Sequence, residues 1–128
     1  MSAMSNYLEN EILDHILSTG AYTMPSAVYV GLSTGSFGDD NSGTELTGNG
    51  YARVSISFGA ASSGTASNDA AVEFSAATGS WGTVSHFGLF DASSAGNLLI
   101  HGALTASKVI ESGDILKIAI GDMDITAA

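Results

Sequence analysis

Cysteine is absent from the chain, so neither a disulfide framework nor a thiolate metal site can hold this fold together. Basic side chains are nearly absent too. Arg53, Lys108 and Lys117 stand against 13 acidic residues, a formal net charge of -10. A surface so poor in cations cannot neutralise a row of phosphates, which argues against a nucleic-acid partner. Charge of either sign is scarce: 12% of residues carry one, about half of the ~25% usual in soluble domains. No apolar run is long enough to cross a bilayer, so a membrane partner is not expected. The opening Met1-Ser2-Ala3-Met4-Ser5-Asn6-Tyr7 lacks the basic residues and apolar stretch of a signal peptide. The expectation is a protein made and kept in the cytoplasm of the producing cell.

Hydrophobic residues make up 45% of the 128 positions, enough for one domain over residues 1–128 with a real core. Since charge is scarce, the surface must be covered by Ser, Thr, Gly, Asn and Ala. Such a surface is desolvated cheaply, which suits burial against other subunits. A soluble acidic monomer fits the same composition.

One helix is legible. Leu8, Ile12 and Ile16 recur at helical spacing with Leu13 and Leu17 beside them. Asn6 reads as the N-cap, with Glu9 three residues on completing a capping-box pattern, and Gly20 as the stop. The spacing predicts a helix over residues 7–18, preceded by an N-terminal arm, the two together occupying about residues 5–19. After Gly20 the period changes to two. Val28, Val30 and Leu32 share a face, as do Val54, Ile56 and Phe58, with Arg53, Ser55 and Ser57 pointing out. Val72 with Phe74, then residues 84–90, 97–104, 108–110, 115–120 and 123–126, are further strand candidates. In the 115–120 strand Leu116, Ile118 and Ile120 form one face. Gly35 to Gly50, Ser62-Ser63-Gly64, Ser93 to Gly96 and Ser112-Gly113-Asp114 punctuate them. Helical patterns are missing between the strands, so the expectation is a mainly β protein: an antiparallel β-sandwich or jelly roll of seven to eight strands led by one N-terminal helix.

The residues that carry chemistry do not form a known constellation. Asp39-Asp40-Asn41-Ser42-Gly43-Thr44-Glu45 alternates oxygen ligands like a calcium loop, but Gly43 stands where an EF-hand needs a third side-chain ligand. A solvated acidic turn explains the same residues. His15, His86 and His101 are too dispersed for a three-ligand metal site. Neither a Gly-x-Ser-x-Gly elbow nor a phosphate-cradling glycine loop followed by lysine occurs. The expectation is therefore no catalytic residues, no metal and no cofactor. Trp81 with Tyr7, Tyr22, Tyr29 and Tyr51 reads either as a carbohydrate platform or, more simply, as core with Trp81 and Phe87 plugging it.

A resemblance runs through most of the chain. Ala21-Tyr22-Thr23-Met24-Pro25 leads into Val28-Tyr29-Val30-Gly31-Leu32-Ser33-Thr34. Gly50-Tyr51-Ala52-Arg53-Val54 follows, then Trp81-Gly82-Thr83-Val84-Ser85-His86-Phe87-Gly88-Leu89-Phe90-Asp91-Ala92. Gly96-Asn97-Leu98-Leu99, Gly102-Ala103-Leu104-Thr105 and Ser112-Gly113-Asp114 complete it. In these blocks the sequence resembles a family of small virion proteins of tailed bacteriophages, often labelled tail-fibre or decoration proteins. The ending Gly121-Asp122-Met123-Asp124 departs from the more apolar one of that family.

The resemblance implies a structural protein of the virion. The leading expectation is a capsid decoration (cement) protein on the outer surface of the head, a homotrimer bound to the major capsid protein. A chain without shaft repeats or a coiled coil fits that role, and contacts to several capsid subunits would add by avidity. The alternative is a tail-fibre or baseplate component whose partners are tail proteins or a host surface glycan. Leu8, Ile12 and Ile16 on the helix, and more weakly Tyr29, are the candidate subunit contacts, set against packing of the helix on its own body.

Overall fold

The computed structural model describes residues 2–127 of the chain. Among them are one helix, α1 (Asn6–Ile16), and nine strands. The strands are β1 (Ser2–Met4), β2 (Val28–Ser33), β3 (Val54–Ile56), β4 (Thr65–Ser67), β5 (Val72–Glu73), β6 (Gly82–Phe90), β7 (Leu98–Ile110), β8 (Lys117–Ile118) and β9 (Asp124–Thr126). Five form one sheet in the order β1-β7-β6-β2-β3, while β4 pairs with β9 and β5 with β8 as two-stranded ribbons. Among the described residues these strand pairings are all antiparallel. The mainly β, antiparallel architecture expected from the alternation is what forms.

Register explains the core. Val30 lies opposite Leu89 and Leu32 opposite Phe87 across β2 and β6. These four pack in one cluster with Val72, Phe74, Leu116 and Ile118 from the β5–β8 side. The ribbons thus cover one face of the large sheet, as period-2 alternation demands of a half-buried strand. Val54 and Phe58 pack against the same cluster and Ile56 is buried in it.

Several local expectations are corrected. The helix begins one residue earlier than the spacing predicts, because Ser5, not Asn6, is its N-cap: the Ser5 hydroxyl accepts from the Leu8 amide at 3.2 Å. That hydroxyl also donates to the Leu98 carbonyl at 2.5 Å, so the cap is tied to β7. The helix ends at Ile16, with Ser18 in the left-handed region (φ 65°) before Gly20 is reached. The two strands expected over 97–104 and 108–110 are one strand of 13 residues. Its pairing with β6 shifts between His86↔Ala103 and Val84↔Lys108, so residues 104–107 arch away opposite Ser85. The strand expected over 115–120 pairs only at Lys117 and Ile118, and Ile120 is exposed at 66% because the chain turns before reaching it. β1 and β4, three residues each, add to the expected set.

Candidate functional site

The helix is the first candidate. Its apolar residues follow one another around the axis by 100° per residue: Leu8, Ile12, Ile16, Leu13 and Leu17 span half the circumference. The body uses only part of that arc. Leu8 is buried and Ile12 half-buried, whereas Leu13, Ile16 and Leu17 are 55%, 69% and 66% exposed. Of the expected contact residues, Leu8 therefore belongs to the interior and only Ile16 is fully available at the surface. Tyr29 is half-buried on β2, opposite Phe90 of β6 and Ser55 of β3.

The second face of the large sheet, expected to point to solvent, is covered. Gly31 and Gly88 pair across β2 and β6, and their missing side chains leave a trough that other groups fill. A Cβ on Gly88 would lie 2.9 Å from Leu98 Cδ1 and 3.0 Å from the Phe90 ring; on Gly31 it would lie 2.7 Å from Glu45 Oε2. Phe37 meets Phe90 edge-on at 5.6 Å, and Phe37, Phe90 and Leu98 form a second small core.

Arg53 crosses this face. Its guanidinium carbon sits 3.6 Å from the Phe90 ring centroid, Nε and Nη2 fork onto Glu45, and Nη1 donates to the carbonyls of Ala92 and Ala95 at 2.9 and 2.8 Å. Its side chain is 7% exposed. The expectation that Arg53 points to solvent is thus overturned. Alternation put it opposite Val54, as it is, but that side is roofed by the 35–50 stretch. Tyr51 joins both faces. Its ring stacks on Phe74 and meets Trp81 edge-on, while its hydroxyl donates to Glu45 at 2.5 Å and accepts from the Leu32 amide at 2.9 Å. Burial, then the hydrogen bond to Glu45, pushes the Tyr51 hydroxyl far above the ordinary tyrosine range.

The acidic stretch 39–45 disperses rather than gathers its oxygens. Asp39 meets His101 Nε2 at 2.7 Å, Asp40 accepts from the Ser42 amide at 3.1 Å, and Glu45 is held by Arg53 and Tyr51. The hydrogen bonds from Ser42 lower the Asp40 carboxyl below its ordinary value. His86 bonds its neighbour Ser85, and His15 accepts from the Tyr22 amide. Among the described residues no three His or carboxylate side chains converge. Trp81 is buried and donates to the Asn49 carbonyl at 2.9 Å. The aromatic residues therefore divide: Trp81 and Tyr51 build the core, while Tyr7, in the first turn of α1, lies near Tyr22; burial raises both hydroxyls, followed by Glu11 and Asp91 for Tyr7 and by Tyr7, Asp91 and Glu11 for Tyr22.

An open groove of about 400 Å³ lies between the arch of β7 and β8, with Leu104, Leu116 and Met123 among its lining. Lys108, Lys117, Asp122 and Asp124 also line it. Lys117 faces Glu73 at 3.8 Å, and Asp124 accepts from the Ser67 hydroxyl. Sequence reasoning missed Asn68, which is buried and binds three partners. Its amide donates to the Ala70 and Ala119 carbonyls at 2.9 and 3.0 Å, and its carbonyl accepts from the Met123 amide at 2.9 Å. A turn-like Ser-Asn-Asp context gave no sign of that burial.

Arg53, Glu45, Tyr51, Asp39 and His101 are engaged with partners inside the chain, and the outer part of the helix face is exposed. Among protein families, the model described as Podophage GP4 fiber I protein gp80 matches residues 3–126, and the chain belongs to that family. It is thus a protein of the phage virion structural class. No curated protein matches the chain.

Proposed function

We propose that this chain is a structural subunit of a podophage tail fibre. The observation that carries the reading is the family match, which runs over residues 3–126 and whose description is of a fibre protein. That description favours the tail alternative over the head-shell role that the sequence alone put first. Arg53, Glu45, Tyr51 and Asp39, side chains of the kinds that supply acid, base or anion-binding groups elsewhere, are engaged in holding loops to the large sheet. The partners are tail proteins and further copies of the chain. Gold-labelled antibody against it on intact particles is expected to mark the tail, with a copy number far below that of the major capsid protein. Label spread over the head at near-stoichiometric copy number would replace this reading with the cement role.

A further inference from the structure

We propose that Asn49 is a site of spontaneous covalent modification, conversion to aspartate and isoaspartate through a cyclic imide, and that docking of its turn on residues 78–81 holds the reaction back. Of the six asparagines, Asn49 alone is followed by glycine. The reaction favours that neighbour. The backbone nitrogen of the following residue attacks the side-chain carbonyl carbon, and a glycine there carries no side chain to obstruct the approach.

The Gly50 nitrogen gives up its proton and bonds to Asn49 Cγ while the Cγ–Nδ2 bond breaks. The released Nδ2 group takes up that proton and leaves as ammonia. Water then opens the imide at either carbonyl. One opening gives aspartate on the original backbone, the other isoaspartate, whose backbone runs through the former side chain. Water is the one co-reactant.

The folded turn keeps the reacting atoms apart. It is closed by the Tyr51 amide donating to the Gly48 carbonyl at 3.0 Å, and both central residues are left-handed, Asn49 at φ 53° and Gly50 at φ 79°. This is the type I′ pattern, in which the first central residue has ψ near ~30°. At that ψ the Gly50 nitrogen lies on the far side of the Cα–C bond from the Asn49 Cβ, so it cannot reach Cγ until the peptide swings round. Hydrogen bonds oppose the swing. Asn49 Nδ2 donates to the Ser80 carbonyl at 3.0 Å, and the Asn49 carbonyl accepts from the Thr78 amide and from Trp81 Nε1, each at 2.9 Å. The side chain also packs on Gly79, where a Cβ would come 2.7 Å from Asn49 Oδ1.

Asn49, Gly50 and Ser80 are exposed, so water reaches the imide once the turn has opened. The change is then one-way. Aspartate sets a carboxylate against the Ser80 carbonyl where a donor stood. Isoaspartate removes from the backbone the carbonyl that holds Thr78 and Trp81. A turn that has reacted cannot dock as before.

The test follows the full chain at mildly alkaline pH by peptide mass spectrometry and by enzymatic methylation of isoaspartate, once folded in buffer and once unfolded in guanidinium chloride. In the unfolded chain Asn49 is expected to convert first among the six asparagines. In the folded chain its conversion is expected to be roughly tenfold or more slower, by a factor set by the free energy of local opening. Gly79→Ala pushes the Asn49 side chain off the Ser80 carbonyl at a position that is not left-handed. With an unchanged circular dichroism spectrum, this variant is expected to convert several-fold faster than folded wild type. Asn49→Asp, which reproduces one product, is expected to unfold at lower denaturant concentration. Equal rates in folded and unfolded wild type, another asparagine converting first when unfolded, a folded Gly79→Ala chain with the wild-type rate, or an Asn49→Asp chain as stable as wild type would each overturn the proposal. Should Gly79→Ala fail to fold, the two wild-type rates decide alone.

Discussion

Arg53 and Glu45 are joined by two parallel hydrogen bonds, Nε to Oε2 at 2.9 Å and Nη2 to Oε1 at 2.8 Å. The pair lies over Phe90 and holds the turn after β6 through the carbonyls of Ala92 and Ala95. One of the chain's three basic residues is therefore committed to the fold together with one of its 13 acids, and the acidic excess stays with the other charged residues.

Removing that fork leaves a partly buried carboxylate and two carbonyls without their donor. Arg53→Met should cost roughly 2–4 kcal/mol, in line with breaking one side of a buried pair. Arg53→Lys should recover only part of this, because an ammonium cannot reproduce the planar fork. Urea unfolding midpoints of the three proteins check the order, and equal stability of the lysine variant and wild type would contradict it.

Ser5 and Asn6 give a second test, because sequence and structure name different caps. Ser5→Ala removes the acceptor for the Leu8 amide and the donor to the Leu98 carbonyl. It should cost about 1–2 kcal/mol. Asn6→Ala lies on an exposed first-turn position and should change stability by less than about 0.5 kcal/mol. Thermal unfolding of the two variants separates them, and the reverse order would restore Asn6 as the cap.

What was legible depended on whether one covering layer made the pattern. Val28, Val30 and Leu32 alternate because a single face of β2 meets the large core, and the sequence shows it. Arg53 misled because the opposite face is covered as well. Its roof is built from Phe37, Glu45 and the loop at Ala92, contacts up to 42 residues apart in the chain, and no local period records such pairings. β4, Thr-Ala-Ser, has no apolar alternation and exists by pairing with β9. Ile120 kept the period of Leu116 and Ile118 but lies past the paired segment. The helix face was legible as apolar. That its outer half stays uncovered was not, because the arc is continuous and only the position of β7 and β1 decides how much of it is used.

Tyr51 predicts an alkaline response. Its folded-state value is raised, while in the unfolded chain a tyrosine titrates near ~10. Tyrosine is neutral when protonated, so this contribution to stability is fully present below about pH 10 and is lost progressively as pH rises above it. Absorbance titration should show phenolate from Tyr51 only with unfolding. Tyr51→Phe keeps the ring stacking but strips the Leu32 amide and Glu45 of a partner. It should lose about 1–2 kcal/mol at neutral pH and show a shallower decline above pH 10. A reversible phenolate signal from all four tyrosines in the folded protein would refute the assignment.

Asn68 ties the segment between β4 and β5 to the one between β8 and β9. Besides its three side-chain bonds, its backbone amide donates to the Met123 carbonyl at 3.2 Å, and its carbonyl accepts from the Gly121 amide at 3.0 Å. The side chain matches two carbonyls and one amide at once, a combination that a carboxamide of this length supplies. Asn68→Ala leaves the Met123 amide without an acceptor in a buried place, while the Ala119 carbonyl keeps the Asp122 amide at 3.0 Å, and should cost roughly 1–3 kcal/mol. Asn68→Asp has nearly the same shape but sets a carboxylate against the Ala70 and Ala119 carbonyls, so it should cost more than alanine at neutral pH. Protonation restores one donor, so the aspartate variant should regain stability relative to the alanine variant as pH falls below the carboxylate range. Unfolding midpoints of both variants at neutral and mildly acidic pH test this, and an aspartate variant as stable as wild type at neutral pH would show that the two segments are not held by this side chain.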